Sequence, residues 1–133
     1  YFDDSFATAP DPTMVALKAF HEPIVLIAGG ADKGADFSGL AEAILKSTVH
    51  TVILIGLMGP KIGSAILQTA AKLGLPSPRL INGGPDMESI VSTASAQAAS
   101  GEIVLLSTAC ASFGMFKNYK ERGTLFKQAV MKL

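Results

Sequence analysis

The stretch PIVLIAGGADKGADF, residues 23–37, determines the fold class. Its apolar part, Ile24–Ala28, contains β-branched residues and no polar position, which is typical of a strand buried on both faces of a parallel sheet. Glycines follow at once, and the next residues, SGLAEAILK, have a helical pattern. A buried strand, a glycine-rich turn and a helix predict one βα unit of an α/β protein.

The same unit recurs along the chain. Further short apolar runs occupy Thr51–Ile55, Arg79–Ile81 with its neighbours, and Ile103–Leu106, and helical patterns lie between and after them. This alternation predicts a single α/β domain with a doubly wound, mostly parallel, Rossmann-like sheet flanked by helices. In the last helix, roughly Phe116–Lys132, the basic side chains are predicted to face water: Lys117, Lys120, Arg122, Lys127 and Lys132.

The opening segment differs from the rest in composition. Residues 1–13 are rich in Asp, Ser, Thr and Pro and predict a hinge that leads into a short helix begun by Pro12 or Thr13. A length of 133 residues fits one domain. Because the chain begins at Tyr1 rather than at a methionine, we expect it to be a piece of a longer protein.

Composition narrows the classes of function. The 11 basic and 11 acidic residues balance, so the chain lacks the general excess of basic charge that is typical of nucleic-acid-binding proteins. No apolar run approaches the roughly 18 residues that span a bilayer, so no membrane partner is expected. A single cysteine fits a reducing compartment, and the expected location is the cytoplasm.

Cys110 is the only candidate thiol nucleophile. No motif brings His21 or His50 next to it, so a catalytic cysteine–histidine pair is not indicated. We interpret Cys110 as a small buried hydrophobic residue.

Three loops after predicted strands are candidate ligand sites, because ligands of open parallel sheets bind at the carboxyl ends of the strands. In the first, GGADKGADF, Asp32 and Lys33 lie among glycines, but neither the phosphate-loop pattern nor the dinucleotide pattern fits, and a plain tight turn remains an alternative. In the second, GLMGPKIGSA, Lys61 lies at a helix start and is either a ligand contact or a solvated surface lysine.

The third loop is LLSTACASFGMFKNYKERG, residues 105–123. Ser107, Thr108 and Ser112 supply hydroxyl groups, and the small residues leave backbone N–H groups open, which suits a carboxylate or a phosphate. Close packing of backbone is the alternative reason for small residues here.

Three segments resemble the C-terminal domain of the Mur ligases, in the branch that adds D-glutamate: DDSFATAPDPTMVALKAF, GGADKGADF and LLSTACASFGMFKNYKERGTLF. The resemblance extends over essentially the whole chain. It implies a three-domain enzyme of peptidoglycan precursor synthesis, of which residues 1–133 are the amino-acid-binding domain and residues 1–13 the interdomain hinge.

The resemblance also implies the reaction. In that family ATP phosphorylates the carboxylate of UDP-N-acetylmuramoyl-L-alanine, and the amine of D-glutamate attacks the acyl phosphate to form an amide. Magnesium takes part, with ligands outside this chain, and closure of the domain over its neighbour excludes water. The domain alone is therefore expected to be inactive.

Site residues follow from the same resemblance. Asp4 matches the carboxylate that holds the ATP ribose, Thr8 a hydroxyl that reaches D-glutamate, and Lys33 the catalytic lysine at the α-carboxylate. The residues that match the grip on the side-chain carboxylate are Ser112, the backbone of Phe113, and Tyr119.

The resemblance extends to two further candidate residues but is not exact at every position. Lys61 is a further candidate cation, and Asp32 shapes the turn. Phe6 stands where the family commonly has lysine or tyrosine, and Ala9 where it frequently has asparagine. Thr108 replaces a common proline, and Tyr119 replaces a phenylalanine.

A second hypothesis comes from another class of protein. The neutral net charge and the lack of a complete catalytic set fit a stand-alone module that binds a small anion or a protein partner without catalysis.

Overall fold

The computed structural model describes residues 1–133 and consists of one five-stranded sheet between two layers of helices. The strands are β1 (Phe2–Asp3), β2 (Ile24–Gly29), β3 (Val49–Ile55), β4 (Arg79–Asn82) and β5 (Ile103–Leu106). The helices are α1 (Pro10–Leu17), α2 (Ser38–Leu45), α3 (Gly59–Leu73), α4 (Met87–Gln97) and α5 (Tyr119–Met131). None of the helices is long and apolar enough to cross a membrane.

The order of strands across the sheet is β1-β5-β2-β3-β4, and every neighbouring pair is parallel. From β2 the chain moves outward through β3 to β4 and then returns to β5 on the other side of β2. The prediction of a doubly wound parallel sheet is confirmed. Because the direction of winding reverses between β2 and β5, the loops that follow these two strands flank the crevice in which such folds bind ligands.

Two cores hold the helices against the sheet. Successive side chains of β2 lie on opposite faces of the sheet. Leu26 packs against α1, α2 and α3, whereas Ile27 packs against α4 and α5. Leu40 and Ile90 are fully buried in the first and second core respectively. Each such side chain stabilises the fold by about 1.5–3 kcal/mol, so both faces of the sheet are anchored firmly beneath the crevice.

Element boundaries differ from the sequence prediction at both ends. Residues Phe2–Asp3 of the predicted hinge form an edge strand, which extends the ladder of β5 through a bond from the Asp4 N–H to the Leu106 carbonyl (2.7 Å). Helix α1 begins at Pro10 rather than at Pro12 or Thr13, since proline suits the first helical turn. Helix α5 begins only at Tyr119, because the side chain of Asn118 caps it by accepting from the Glu121 N–H (2.8 Å).

The prediction that Arg122 faces water is wrong. Its side chain is fully buried, at 0% exposed, on the face of α5 that packs on the sheet. Burial of a guanidinium requires hydrogen-bond partners, and those of Arg122 lie at the candidate site.

Candidate functional site

The loops after β2 and β5 are joined at backbone level. We call residues 30–37 the Lys33 loop and residues 107–118 the Cys110 loop. The Gly29 N–H donates to the Thr108 carbonyl (2.9 Å), and the Ala31 N–H donates to the Ala111 carbonyl (2.9 Å). Gly30 has φ 145°, and a Cβ there would collide with the Ala111 carbonyl oxygen. Glycine is therefore required where the two loops cross.

A cavity of about 250 Å³ opens beside this crossing. Its wall combines three segments that are distant in sequence: Thr8 and its neighbours, Lys33 with Ala31, Ala35 and Phe37, and Ala109 with Cys110. Two residues predicted for the site from the sequence, Thr8 and Lys33, are thus brought together. Lys33 is exposed at the rim, and no salt bridge neutralises its charge. The cavity offers one cation, one hydroxyl group and an apolar floor.

Asp4 is oriented by a buried hydroxyl group. The Ser107 hydroxyl, itself 0% exposed, donates to Asp4 Oδ2 (2.7 Å). The Thr13 hydroxyl lies 3.0 Å from the Ser107 hydroxyl and 3.2 Å from its carbonyl oxygen. Asp4 itself is partly exposed, so its carboxylate is fixed on one side and accessible on the other.

Arg122 connects the opening segment to the Cys110 loop. Its Nε and Nη2 donate to the hydroxyl and the carbonyl of Ser5 (2.9 and 2.7 Å), and its Nη1 donates to the Cys110 carbonyl (2.9 Å). Burial lowers the pKa of the guanidinium, and no carboxylate contacts it. One buried cation therefore fixes two walls of the cavity relative to each other.

Sequence reasoning missed Arg122, although a signal was present. Arg122 precedes Phe126 by four residues and Ala129 by seven, so the helical period places it on the buried stripe of α5. Its charge favoured the opposite interpretation, because arginine is seldom fully buried without a charged partner.

The residues matched to the side-chain carboxylate do not line this cavity. Ser112 is buried, at 5% exposed, and its carbonyl accepts from the Phe116 N–H (3.0 Å). Phe113 is 60% exposed and lines a separate cavity of about 440 Å³ next to Asp32. Tyr119 packs edge-on against the ring of Phe6 with the ring centres 5.2 Å apart. These residues surround the crevice on the side of the Cys110 loop.

Lys61 lies on the opposite side of the Lys33 loop. Its Nζ is 5.8 Å from the centre of the Phe37 ring, and it lines a polar cavity of about 480 Å³ that also contains Asp36. Phe37 and Ala35 line both this cavity and the 250 Å³ cavity. Phe37 therefore borders both the cavity lined by Lys61 and the cavity lined by Lys33.

Cys110 is 3% exposed, which confirms the prediction that it is buried. Burial raises the pKa of its thiol to about 11, so the thiolate is scarce at neutral pH. His50, at the amino end of β3, contacts Glu102 (3.0 Å) and Thr51 (2.8 Å) rather than Cys110. The structure contains no group of three or more His, Cys, Asp or Glu side chains able to hold a metal ion.

A parallel sheet with a cationic, partly apolar cavity at its switch point defines the class as an α/β ligand-binding domain. Comparison with protein families specifies the class further. Residues 1–110 match the family model described as "Mur ligase, glutamate ligase domain". Because the match covers most of the chain, the chain belongs to the Mur ligase family.

Three similar proteins have the same name, UDP-N-acetylmuramoylalanine--D-glutamate ligase. The protein of Roseiflexus sp. strain RS-1 is 45% identical over 98% of the chain, and that of Thermoanaerobacter sp. strain X514 is 42% identical over 100%. The protein of Clostridium perfringens is 39% identical over 98%. The chain spans 27–28% of the length of these curated relatives. Ligase homology favours the ligase hypothesis over the stand-alone module.

Proposed function

We propose that this chain is the amino-acid-binding domain of an ATP-dependent ligase that joins D-glutamate to UDP-N-acetylmuramoyl-L-alanine during peptidoglycan precursor synthesis in the bacterial cytoplasm. Residues 1–133 are the domain, and residues 1–13 form the hinge toward the rest of the enzyme. The observation that carries the proposal is the meeting of Lys33 and Thr8 in one cavity at the β2–β5 switch point, in a chain whose relatives bear the name of that ligase.

Lys33 binds the α-carboxylate of D-glutamate. Its ammonium group lies at the cavity rim without an acidic partner, so a ligand carboxylate meets a charge that no other group has neutralised. Because the α-carboxylate is one bond from the carbon that bears the amine, this contact fixes the nucleophile near the reacting centre. The Thr8 hydroxyl supplies a hydrogen bond to the same ligand from the opposite wall.

The Cys110 loop and the first residue of α5 bind the side-chain carboxylate, through Ser112, the backbone of Phe113, and Tyr119. Ser112 follows the buried floor directly, and Tyr119 is fixed by the Ser5 hydroxyl, which donates to its carbonyl (2.6 Å). Lys61 adds positive potential from the adjoining cavity rather than a direct contact. Two carboxylates of one ligand are thereby held by two different loops.

Asp4 binds the ribose of ATP. A carboxylate oriented by the Ser107 hydroxyl and open on its other side suits a sugar hydroxyl donor. ATP, when bound, supplies the phosphoryl group that activates the substrate carboxylate. Magnesium, whose ligands we expect in other parts of the ligase, would neutralise charge around the transferred phosphoryl group.

Closure of the domain completes the site. Next to the 250 Å³ cavity, Leu57 and Phe113 expose large apolar surface (74% and 60%) around the 440 Å³ cavity. Covering this surface with another domain would exclude water from the activated carboxylate, which otherwise hydrolyses.

The test is ADP release by the full-length protein in the presence of ATP, magnesium and UDP-N-acetylmuramoyl-L-alanine. We expect release to depend on D-glutamate and to be at least tenfold slower with L-glutamate or D-aspartate at equal concentration. The inverted α-carbon of the first and the shorter side chain of the second each prevent the two carboxylates from contacting their two loops at the same time. Equal rates with all three amino acids, or no stimulation by any of them, would refute the proposal.

A further inference from the structure

One residue of the cavity has an unusual backbone conformation. Nine residues of the chain have positive φ; eight are glycines, and the ninth is Ala109, with φ 62°. A left-handed conformation is sterically unfavourable for any residue with a Cβ, and glycine is the usual solution. An alanine at such a position indicates that its methyl group is used.

Hydrogen bonds on both sides hold Ala109 in this conformation. Before it, the Thr108 carbonyl accepts from the Gly29 N–H (2.9 Å). After it, the Cys110 carbonyl accepts from Arg122 Nη1 (2.9 Å) and from the Thr108 hydroxyl (3.1 Å). These bonds from neighbouring elements offset the steric cost of the left-handed turn.

Ala109 also connects the core to the cavity. It is only 1% exposed and belongs to the core under α1, α2 and α3. The same residue lies in the wall of the 250 Å³ cavity that contains Thr8 and Lys33. Its methyl group thus anchors a cavity wall to the sheet.

We propose that Ala109 is a positioning residue for the amino-acid substrate: its methyl group, packed in the core, keeps the left-handed turn in the one position that sets the cavity floor opposite Lys33 and Thr8. The inference rests on the proposed function, since it assumes that this cavity holds D-glutamate. Ala109 acts on the ligand through the backbone of Cys110 and the following residues, without touching the reacting atoms.

A purely structural role makes a different prediction. If the methyl group only fills the core, Ala109→Gly lowers stability and leaves substrate affinity unchanged. If the methyl group positions the turn, Ala109→Gly removes one core contact but also relieves the steric conflict at φ 62°, so stability changes little while the floor becomes free to shift.

The experiment compares steady-state kinetics and melting temperature of the full-length ligase with those of its Ala109→Gly and Ala109→Ser variants. We expect Ala109→Gly to raise KM for D-glutamate roughly tenfold, because small displacements of a binding group are costly, with KM for ATP unchanged and Tm within a few degrees of the wild type. Ala109→Ser retains the Cβ and should keep KM for D-glutamate within about twofold.

An unchanged KM for D-glutamate in a folded Ala109→Gly enzyme would overturn the proposal. Failure of that variant to fold would also overturn it, since the main role of the Ala109 methyl group would then be to stabilise the core. A KM increase in the serine variant equal to that in the glycine variant would have the same consequence. A wild-type enzyme without D-glutamate-dependent ADP release would instead refute the proposed function itself, so the two failures are distinguishable.

Discussion

The two loops of the crevice are built in opposite ways. In the Lys33 loop, Asp32, Lys33 and Gly34 are exposed. A short turn is closed there by a hydrogen bond from the Gly34 N–H to the Asp32 carboxylate (2.7 Å). In the Cys110 loop, every residue of the run 107–112 is buried, at 0–5% exposed. Its groups are bonded to Asp4, which follows β1, and to residues of β2, α1 and α5.

This difference separates two requirements of a ligand site. A buried floor with many partners has one geometry and is expensive to distort, whereas an exposed loop can bring a charge to a ligand and withdraw it. We infer that the Cys110 loop supplies the fixed geometry and the Lys33 loop supplies the charge. Loss of the hydrogen bonds that support the first loop should reduce stability, and loss of the Lys33 charge from the second should reduce activity alone.

The largest effect is expected from Arg122→Ala. The variant removes three hydrogen bonds, leaves the carbonyl groups of Ser5 and Cys110 without this donor, and creates a void beneath α5. Its free energy of unfolding should fall by about 3–4 kcal/mol. Chemical denaturation monitored by circular dichroism measures this change.

The matched control is Arg79→Ala. Arg79 is exposed and its side chain makes one hydrogen bond, to Gln97 (2.9 Å), so the loss should be below about 0.5 kcal/mol. Similar losses for the two variants would show that the Cys110 loop does not depend on its buried guanidinium.

Lys33→Ala tests the exposed loop. In the full-length enzyme we expect kcat/KM for D-glutamate to fall roughly a hundredfold, the typical result of losing a charge contact close to the reacting centre. Tm should remain that of the wild type, because Lys33 is exposed and makes no salt bridge within the chain. Lys72→Ala, at an exposed lysine in the last turn of α3, should change neither quantity.

The reactivity of the Cys110 thiol in the unaltered protein measures whether the Cys110 loop opens. Since burial raises the pKa of its thiol to about 11, roughly one molecule in a thousand carries a thiolate at pH 8, and a disulfide reagent should label the folded protein very slowly. Unfolding in guanidinium should restore rapid labelling. Fast labelling of the folded protein at pH 8 would mean that the loop opens.

The Cys110 thiol also makes the free energy of unfolding depend on pH, with a sign that follows from its raised pKa. A pKa raised from 9.0 to about 11 means that folding favours the neutral thiol, so its contribution to stability is complete below pH 9 and is lost as the pH rises through 11. Cys110→Ala should remove this part of the alkaline destabilisation. Unfolding curves of the two proteins at pH 8 and pH 10.5 provide the comparison.

Much of the fold could be predicted from local pattern. Apolar runs such as Ile24–Ala28 and Ile103–Leu106 have few structural alternatives, because a short run without polar residues must be buried on both faces. Strand β1 could not be predicted, since Phe2–Asp3 is too short to have a period and owes its conformation to its partner β5.

The site was less accessible to sequence reasoning than the fold. The Lys33 loop is marked by its own glycines and charges, and pairing Thr8 with Lys33 required the family resemblance. The buried supports are not visible locally: Arg122 looks like a surface residue, and the left-handed turn at Ala109 has no glycine to indicate it. Both depend on contacts between segments about a hundred residues apart, such as Ser5 with Arg122.

The smallest effect concerns Asp36, the carboxylate that ends the exposed loop. Its Oδ1 accepts from the Ser38 N–H (2.9 Å), and this bond, together with the Ser38 hydroxyl group and the nearby Lys61 charge, lowers the pKa of the Asp36 carboxyl group. A lowered pKa means a contribution to stability that is present at neutral pH and is lost as the pH falls through the folded-state pKa. Asp36→Asn should therefore change Tm little at pH 7, because asparagine also accepts this bond, and should reduce the loss of Tm between pH 4 and pH 2.5. Asp11→Asn, at an exposed aspartate without a hydrogen-bond partner, is the control and should leave the acid unfolding curve in place. A steeper acid loss in Asp36→Asn than in the wild type would contradict this sign and would mean that the exposed loop is held by a contact other than its own carboxylate.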